Sequence, residues 1–389
     1  MSIKTIIGQV ARGENYFPRP NITDHIWDKL DSGSNLLLVA PRRVGKSSIL
    51  NQLLDNPRKN YIVIYFISES VNNENEFYKK LYHHLVEKLS VIQKYKAKAF
   101  SLTKDLVSRI ESFGKDGIGI GESKISYLNE FQNLIKNINW GEDKILVLID
   151  EFAQTVENII QDVDFKTAIH FLESKREIRQ TREIQNKLQF VYAGSIGLEN
   201  IVSKINSINT INDLTSIEIP PLNKKEAAQL VQKIIDDSGI ILDDKAFDYL
   251  VEIIEWLIPF YFQLILDESY KLIVDHEPKN LTQKIIDTAV ENALKHRIYF
   301  EQWFTRLRKA YKSEEFSFVK ELLNLISESQ TIKSNEILDL AEKYKLADTF
   351  KELINALKYD GYINNNDDPK VYRFNSPLLR KWWYCNVAN

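Results

Sequence analysis

Leu36-Leu-Leu-Val39-Ala40-Pro41-Arg42-Arg43-Val44-Gly45-Lys46-Ser47-Ser48 decides the fold of this chain. The apolar run from Leu36 to Val39 stops at a turn. Gly45-Lys46-Ser47 then opens a helical pattern through Ile49, Leu53 and Leu54. Strand, small-residue loop and helix in that order make a P-loop, whose backbone N–H groups and helix N-terminus cradle phosphates. Lys46 reaches the β- and γ-phosphates, and the Ser47 hydroxyl binds Mg²⁺. Pro41, Arg42, Arg43, Val44, Gly45 and Ser48 complete the cradle. Ala40 stands where the usual pattern has its first glycine. A methyl group there costs little if φ stays negative and much if it does not.

A P-loop also needs a carboxylate for the metal and a group that orients water. Lys144-Ile-Leu-Val-Leu-Ile-Asp150-Glu151-Phe152, roughly a hundred residues downstream, supplies both. Its short, unalternating apolar run predicts a strand buried on both faces of a parallel sheet. Two adjacent acids at the end of such a strand are costly to bury without a partner. Asp150 is assigned to the metal shell and Glu151 to polarising the attacking water. Leu188-Gln-Phe-Val-Tyr-Ala-Gly194-Ser195 is a further strand. Its Ser195 either senses the γ-phosphate or positions water beside the Asp150 strand, or simply ends the strand in a turn. Tyr61 to Ile67 and Ile217 to Ile219 complete five strands separated by helical segments, an α/β doubly wound sheet with ligand at the strands' carboxyl ends.

The 389 residues suffice for two or three domains. A net charge of −3 gives no global basic field for nucleic acid or an anionic membrane. The single cysteine, Cys385, excludes an internal disulfide and suggests a reducing compartment. The N-terminal Met-Ser-Ile-Lys-Thr-Ile-Ile-Gly is too poor in apolar residues for a signal peptide, and no apolar stretch reaches the length of a membrane span. The expectation is a cytoplasmic protein.

Along the chain, Asn21 to Asp24 starts a helix that buries Ile26, Trp27 and Leu30. The segment holding Gly114, Gly117, Gly119 and Gly121 reads as a hairpin or insert, because no buried strand precedes it. Residues 165–187 form a long helical pattern in which Lys175, Arg176, Arg179 and Arg182 alternate with Glu173, Glu177 and Glu183. A solvated, ion-paired helix is the favoured account, and an arginine face offered to a neighbouring subunit's γ-phosphate or to nucleic acid the alternative. Pro220-Pro221 breaks the pattern, and Asn223 with Glu226 makes a capping box. Three domains follow: a P-loop domain over 1–219, a helical lid over 220–311 and a three-helix, two-strand winged helix over 312–389.

With these residues in place, the chain resembles the prokaryotic P-loop ATPases of the archaeal ATPase family, relatives of AAA+ origin-recognition and STAND signalling ATPases. The resemblance rests on Pro41 to Ser47, Leu148 to Phe152, Ala193-Gly194-Ser195, Pro220-Pro221-Leu222 with Glu226-Ala227, and the block from Tyr372 to Trp383. It implies an ASCE-type nucleotide domain, ATP as the nucleotide, Phe17 and Arg19 closing over the adenine, and Pro259 in the lid contacting the base. Ala40 departs from the family pattern, as does Leu257-Ile258-Pro259 where relatives carry Gly-x-Pro. None of the six histidines lies in the winged helix, so the phosphate-sensing histidine of many STAND proteins is absent.

The expected activity is that of an ATP-binding, slowly hydrolysing switch whose nucleotide state controls a protein partner or self-assembly, in defence or signalling. The alternative is an ATPase that binds duplex DNA through its winged helix. There the recognition helix, 347–360, balances Lys351 and Lys358 against Asp348, Glu352 and Asp360, which disfavours DNA. A third reading, supported only by Ala40, is a nucleotide-binding scaffold without hydrolysis.

Overall fold

A computed structural model describes residues 3–95, 126–138, 141–194, 197–311 and 313–388. The glycine-rich segment of 114–121 and Ser195 lie outside the described residues. The chain divides into two compact units. The sheet unit holds Pro18–Val39 and Lys46–Ile219, and the helical unit holds Met1–Phe17, Ala40–Gly45 and Pro220–Asn389.

In the sheet unit, α1 (Pro20–Asp31) begins with proline at its first turn and buries Ile26, Trp27 and Leu30, as its periodicity predicts. It is followed by β1 (Asn35–Val39), α2 (Lys46–Asp55), β2 (Tyr61–Ile67), α3 (Glu74–Tyr95), α4 (Tyr127–Asn137) and β3 (Lys144–Asp150). The unit ends with α5 (Phe152–Asp162), α6 (Phe165–Gln180), α7 (Arg182–Gln185), β4 (Leu188–Ala193), α8 (Leu198–Lys204) and β5 (Leu214–Glu218). The five strands form one parallel sheet in the order β2-β3-β4-β1-β5. β4 therefore lies between the strand that leads into the phosphate loop and the strand that ends at Asp150. Every residue of β4, and every residue of β3 after Lys144, is buried. That two-sided burial, at about 1.5–3 kcal/mol for each large apolar side chain, explains why these runs do not alternate.

Helix α6 corrects one expectation. Its side chain at Asp164 caps it by accepting from the Thr167 N–H at 2.6 Å, but it is not a solvated charged helix. Lys175 and Arg179 are buried. The Arg179 guanidinium donates to both Asp213 oxygens at 2.7 Å, to the Thr210 carbonyl at 2.7 Å and to Tyr192. Lys175 Nζ lies 3.4 Å from the centre of the Tyr78 ring, 4.0 Å from Phe77 and 4.2 Å from Phe171. Burial pushes this lysine's pKa well down, against the opposing charge of Glu74. The charged pattern hid these two because Glu173, Arg176 and Glu177 share the same turns. Arg179, held within its own unit, is not available as a finger for a neighbour.

The helical unit contains α9 (Lys224–Ile235), β6 (Ile240–Ile241), α10 (Asp244–Ile254), α11 (Pro259–Ile273), β7 (Lys279–Asn280), α12 (Gln283–Lys295) and α13 (Arg297–Ala310). It continues through α14 (Ser313–Ser329), β8 (Thr331–Lys333), α15 (Ser334–Lys343), α16 (Phe350–Tyr359), β9 (Ile363–Asn364), β10 (Val371–Phe374) and α17 (Pro377–Asn386). The Asn223–Glu226 capping box forms with both bonds at 2.9 Å. The terminal segment is a three-stranded antiparallel sheet, β8-β10-β9, against helices. Its third strand, β8, is too short to leave a period in the sequence. Trp382 stacks on Phe300 at 5.9 Å, and Trp383 donates to Asn324 at 2.9 Å, which fixes α17 in the core, while Tyr384 is exposed.

Candidate functional site

The phosphate loop owes its shape to two residues in the left-handed region, Arg43 (φ 62°) and Gly45 (φ 103°), on either side of the buried Val44. Glycine occupies that region freely, whereas arginine does so at a cost of about 1 kcal/mol or more. Left-handed residues alternating with ordinary ones turn successive N–H groups towards one concave side, an anion-binding nest. Ala40 is not among the residues of positive φ, so its methyl group is tolerated without strain, and it is buried. Lys46 and Ser47 form the first turn of α2, where the helix N-terminus adds its dipole. Lys46 is only 7% exposed. Ser48 and Pro41 are half-buried.

The sheet brings the acidic motif to the same helix. Ser47 Oγ donates to Asp150 Oδ2 at 2.6 Å. Tyr65, from β2, donates to the same oxygen at 3.0 Å, and the Glu151 N–H donates to Asp150 Oδ1 at 3.1 Å. Asp150 is 4% exposed, and its pKa is raised: burial is the main cause and Glu151 adds to it, while the bonds from Ser47, Tyr65 and the backbone oppose it. Glu151 itself is left-handed (φ 57°, ψ 33°) at the N-cap of α5, and its carboxylate does not cap that helix. A non-glycine residue in that region beside a buried carboxylate is the kind of strain that gathers at functional positions.

The donor set suits Mg²⁺. A hydroxyl and a buried carboxylate whose charge is disfavoured by burial are hard oxygen donors for an ion that completes its shell with water and phosphate. Among the described residues no cluster of three or more His, Cys, Asp or Glu side chains could hold a metal.

The remaining candidates lie as follows. Arg19 is buried at the N-cap of α1. Within the helical unit, Pro259 opens α11, the Arg43 guanidinium lies 3.8 Å above the ring of Phe260, and Arg42 reaches Gln302 on α13 at 3.4 Å. Burial pulls the Arg43 pKa down to about 10. Three contributors escaped the sequence reading. Tyr65 was signalled only by the second of two hydroxyls in Tyr61-Ile-Val-Ile-Tyr65-Phe-Ile67. Asn51 donates to the Ser47 carbonyl at 2.6 Å one turn on, and Phe260 carries no sequence mark beyond its proline neighbour.

No protein-family model matches the chain, and no curated protein does. Among solved structures, a Walker-type ATPase of Pyrococcus abyssi is similar over 96% of this chain and 97% of its own, at 17% identity and a TM-score of 0.64. The ORC2 protein of Aeropyrum pernix, in ADPNP–ADP complexes, is similar over 100% of this chain and 98% of its own, at 11% identity and a TM-score of 0.56. At such identities the likeness is one of fold.

Proposed function

We propose, from a fold shared with archaeal Walker-type ATPases of the AAA+ kind, that this chain binds ATP with Mg²⁺ and hydrolyses it slowly as a molecular switch. The observation that carries the reading is the 2.6 Å bond from Ser47, at the start of the phosphate-loop helix, to the buried Asp150. The adenine nucleotides bound by the Aeropyrum pernix protein support ATP as the ligand. In this reading the nest from Arg43 to Lys46 receives the phosphates, and Lys46 neutralises the terminal ones. Mg²⁺, when held by Ser47 and Asp150, offsets charge on the phosphate oxygens. Glu151 orients and polarises water, with Ser195 as its helper. Arg19 and Pro259 serve the base.

The output goes to a protein partner or to an assembly. The helical lid and the winged helix, divided near residue 311, are its transmitters. Duplex DNA is the weaker alternative, because Lys351 and Lys358 are balanced by Asp348, Glu352 and Asp360 along 347–360, and two arginines of the terminal segment are engaged within the unit. Arg373 bonds Glu255 and also Asp367 at 2.8 Å, and Arg380 donates to the Ser327 carbonyl at 3.1 Å.

The deciding experiment is ATP turnover with and without duplex DNA, using Glu151→Gln as the blank. Slow turnover indifferent to DNA, with ATP trapped by Glu151→Gln, is expected. Turnover stimulated by DNA would move the output to nucleic acid. Tight binding with no turnover would reduce the protein to a scaffold.

A further inference from the structure

Three consecutive residues of the phosphate loop are each seated on a different element of the helical unit. Pro41 lies against the root of the terminal hairpin: a Cβ placed on Gly361 (φ 84°) would come 3.2 Å from Pro41 Cβ and 2.6 Å from the Trp256 ring. Arg42 meets Gln302 on α13, and Arg43 covers Phe260 in the first turn of α11. The residues that follow, from Lys46, belong to the sheet unit. The loop segment of the helical unit, Ala40–Gly45, thus carries all three of these contacts.

We propose that the Arg43–Phe260 stack is the reporter of the phosphate site. Arg43 is a positioning residue whose backbone shapes the nest and whose guanidinium carries the state of that nest to the first turn of α11. This deepens the nucleotide reading and rests on it.

The physical case has three parts. Arg43 cannot alter its left-handed backbone without moving its side chain, because φ, ψ and the Cα–Cβ direction are one geometry. Its guanidinium is planar and covers a ring face, an arrangement that lysine's compact ammonium does not reproduce. Burial removes the water that would otherwise let the side chain drift at little cost, and the lowered pKa of Arg43 records that desolvation. A phosphate that tightens the nest therefore changes the stack, and the strength of the stack in turn biases nucleotide affinity, since such coupling is reciprocal. Phe260 directly follows Pro259, so the change is delivered to the turn that opens α11.

The test is hydrogen exchange of the amides in 256–262 with and without Mg-ATP, in the wild type, Phe260→Leu, Arg43→Lys and the double variant, with ATP affinity measured on each. In the wild type ATP is expected to slow exchange in that turn several-fold. Phe260→Leu and Arg43→Lys should each abolish that response while still binding ATP at raised concentration. The double variant should bind no worse than the weaker single one, because both remove the same interaction. A wild-type response persisting in Phe260→Leu, or affinity losses that add, would overturn the inference and leave the nucleotide reading standing. No ATP binding by the wild type would overturn both. A purely structural role for the stack would change thermal stability yet leave the ATP-dependent difference in exchange intact, which separates packing from reporting.

Discussion

Pro41 to Arg43 and Lys46 to Asn51 are three positions apart at their nearest ends, yet different forces hold them. The first group rests on shape and on a ring face: Pro41 beside Gly361 and Trp256, and Arg43 over Phe260. The second is held by helical hydrogen bonding and a buried carboxylate, with Ser47 on Asp150 and Asn51 on the Ser47 carbonyl. The packed half punishes changes of volume and shape, and the hydrogen-bonded half punishes the loss of a donor or acceptor. A loop built so can be loosened from one side without dismantling the other.

The largest effect should come from the hydrogen-bonded half. Lys46→Ala removes a nearly buried cation from the phosphate cradle, and ATP should bind about 100- to 1,000-fold more weakly. Isothermal titration of the folded variant checks this; affinity within a few-fold of the wild type would remove Lys46 from the site. Next comes a strike at the packed half. Gly361→Ala puts a methyl group into a left-handed position and 2.6 Å from Trp256, so the helical unit should lose about 2–4 kcal/mol. Urea unfolding monitored by tryptophan fluorescence reads it, and a loss under 1 kcal/mol would mean that Trp256 simply swings aside. A smaller effect separates the loop from its sequence pattern. Ala40 needs no left-handed backbone, so Ala40→Gly restores the usual glycine with no conformational gain. It should destabilise the protein by about 0.5–1 kcal/mol through the freer unfolded chain. A stabilising Ala40→Gly would reveal strain at that position.

How much of this was legible follows the same division. The hydrogen-bonded half was readable because it depends on residue type: Gly45-Lys46-Ser47, then Asp150-Glu151 ending an apolar run, announce their chemistry at fixed positions along the strands. The packed half was not. Nothing in Phe260, Gln302 or Gly361 points to residues 41–43, since contact across more than two hundred positions leaves no period in one sequence. The order of the strands, with β4 between β1 and β3, was likewise invisible, because parallel pairing is set by crossovers rather than by local pattern. Helix α6 shows the converse failure. Lys175 and Arg179 looked solvated because charge pattern reports on residue type alone, and their burial depends on the aromatic rings of α3 and on Asp213 just before β5.

The smallest expected effect isolates the buried carboxylate, and its sign can be worked out. The pKa of Asp150 is raised in the folded protein relative to its ordinary value of 3.8, mainly by burial. Below that ordinary value the group is protonated both folded and unfolded, and its contribution to stability is complete. Between 3.8 and the raised value the folded protein binds more protons than the unfolded chain, so this contribution is lost as pH rises through the window. Carboxylates such as Glu321, held below their ordinary pKa by Lys343, slope the other way, so the whole-protein curve mixes both signs. Asp150→Asn separates them, because its amide oxygen can still accept from Ser47 and Tyr65 while its charge is gone. The stability of the wild type minus that of Asp150→Asn should fall with rising pH across the window and then level off. Saturating Mg-ATP should remove the fall, since a cation beside Asp150 favours the charged form. A difference that stays flat with pH would mean that Asp150 is ionised without penalty, and the argument that its charge awaits a metal would lose its physical basis.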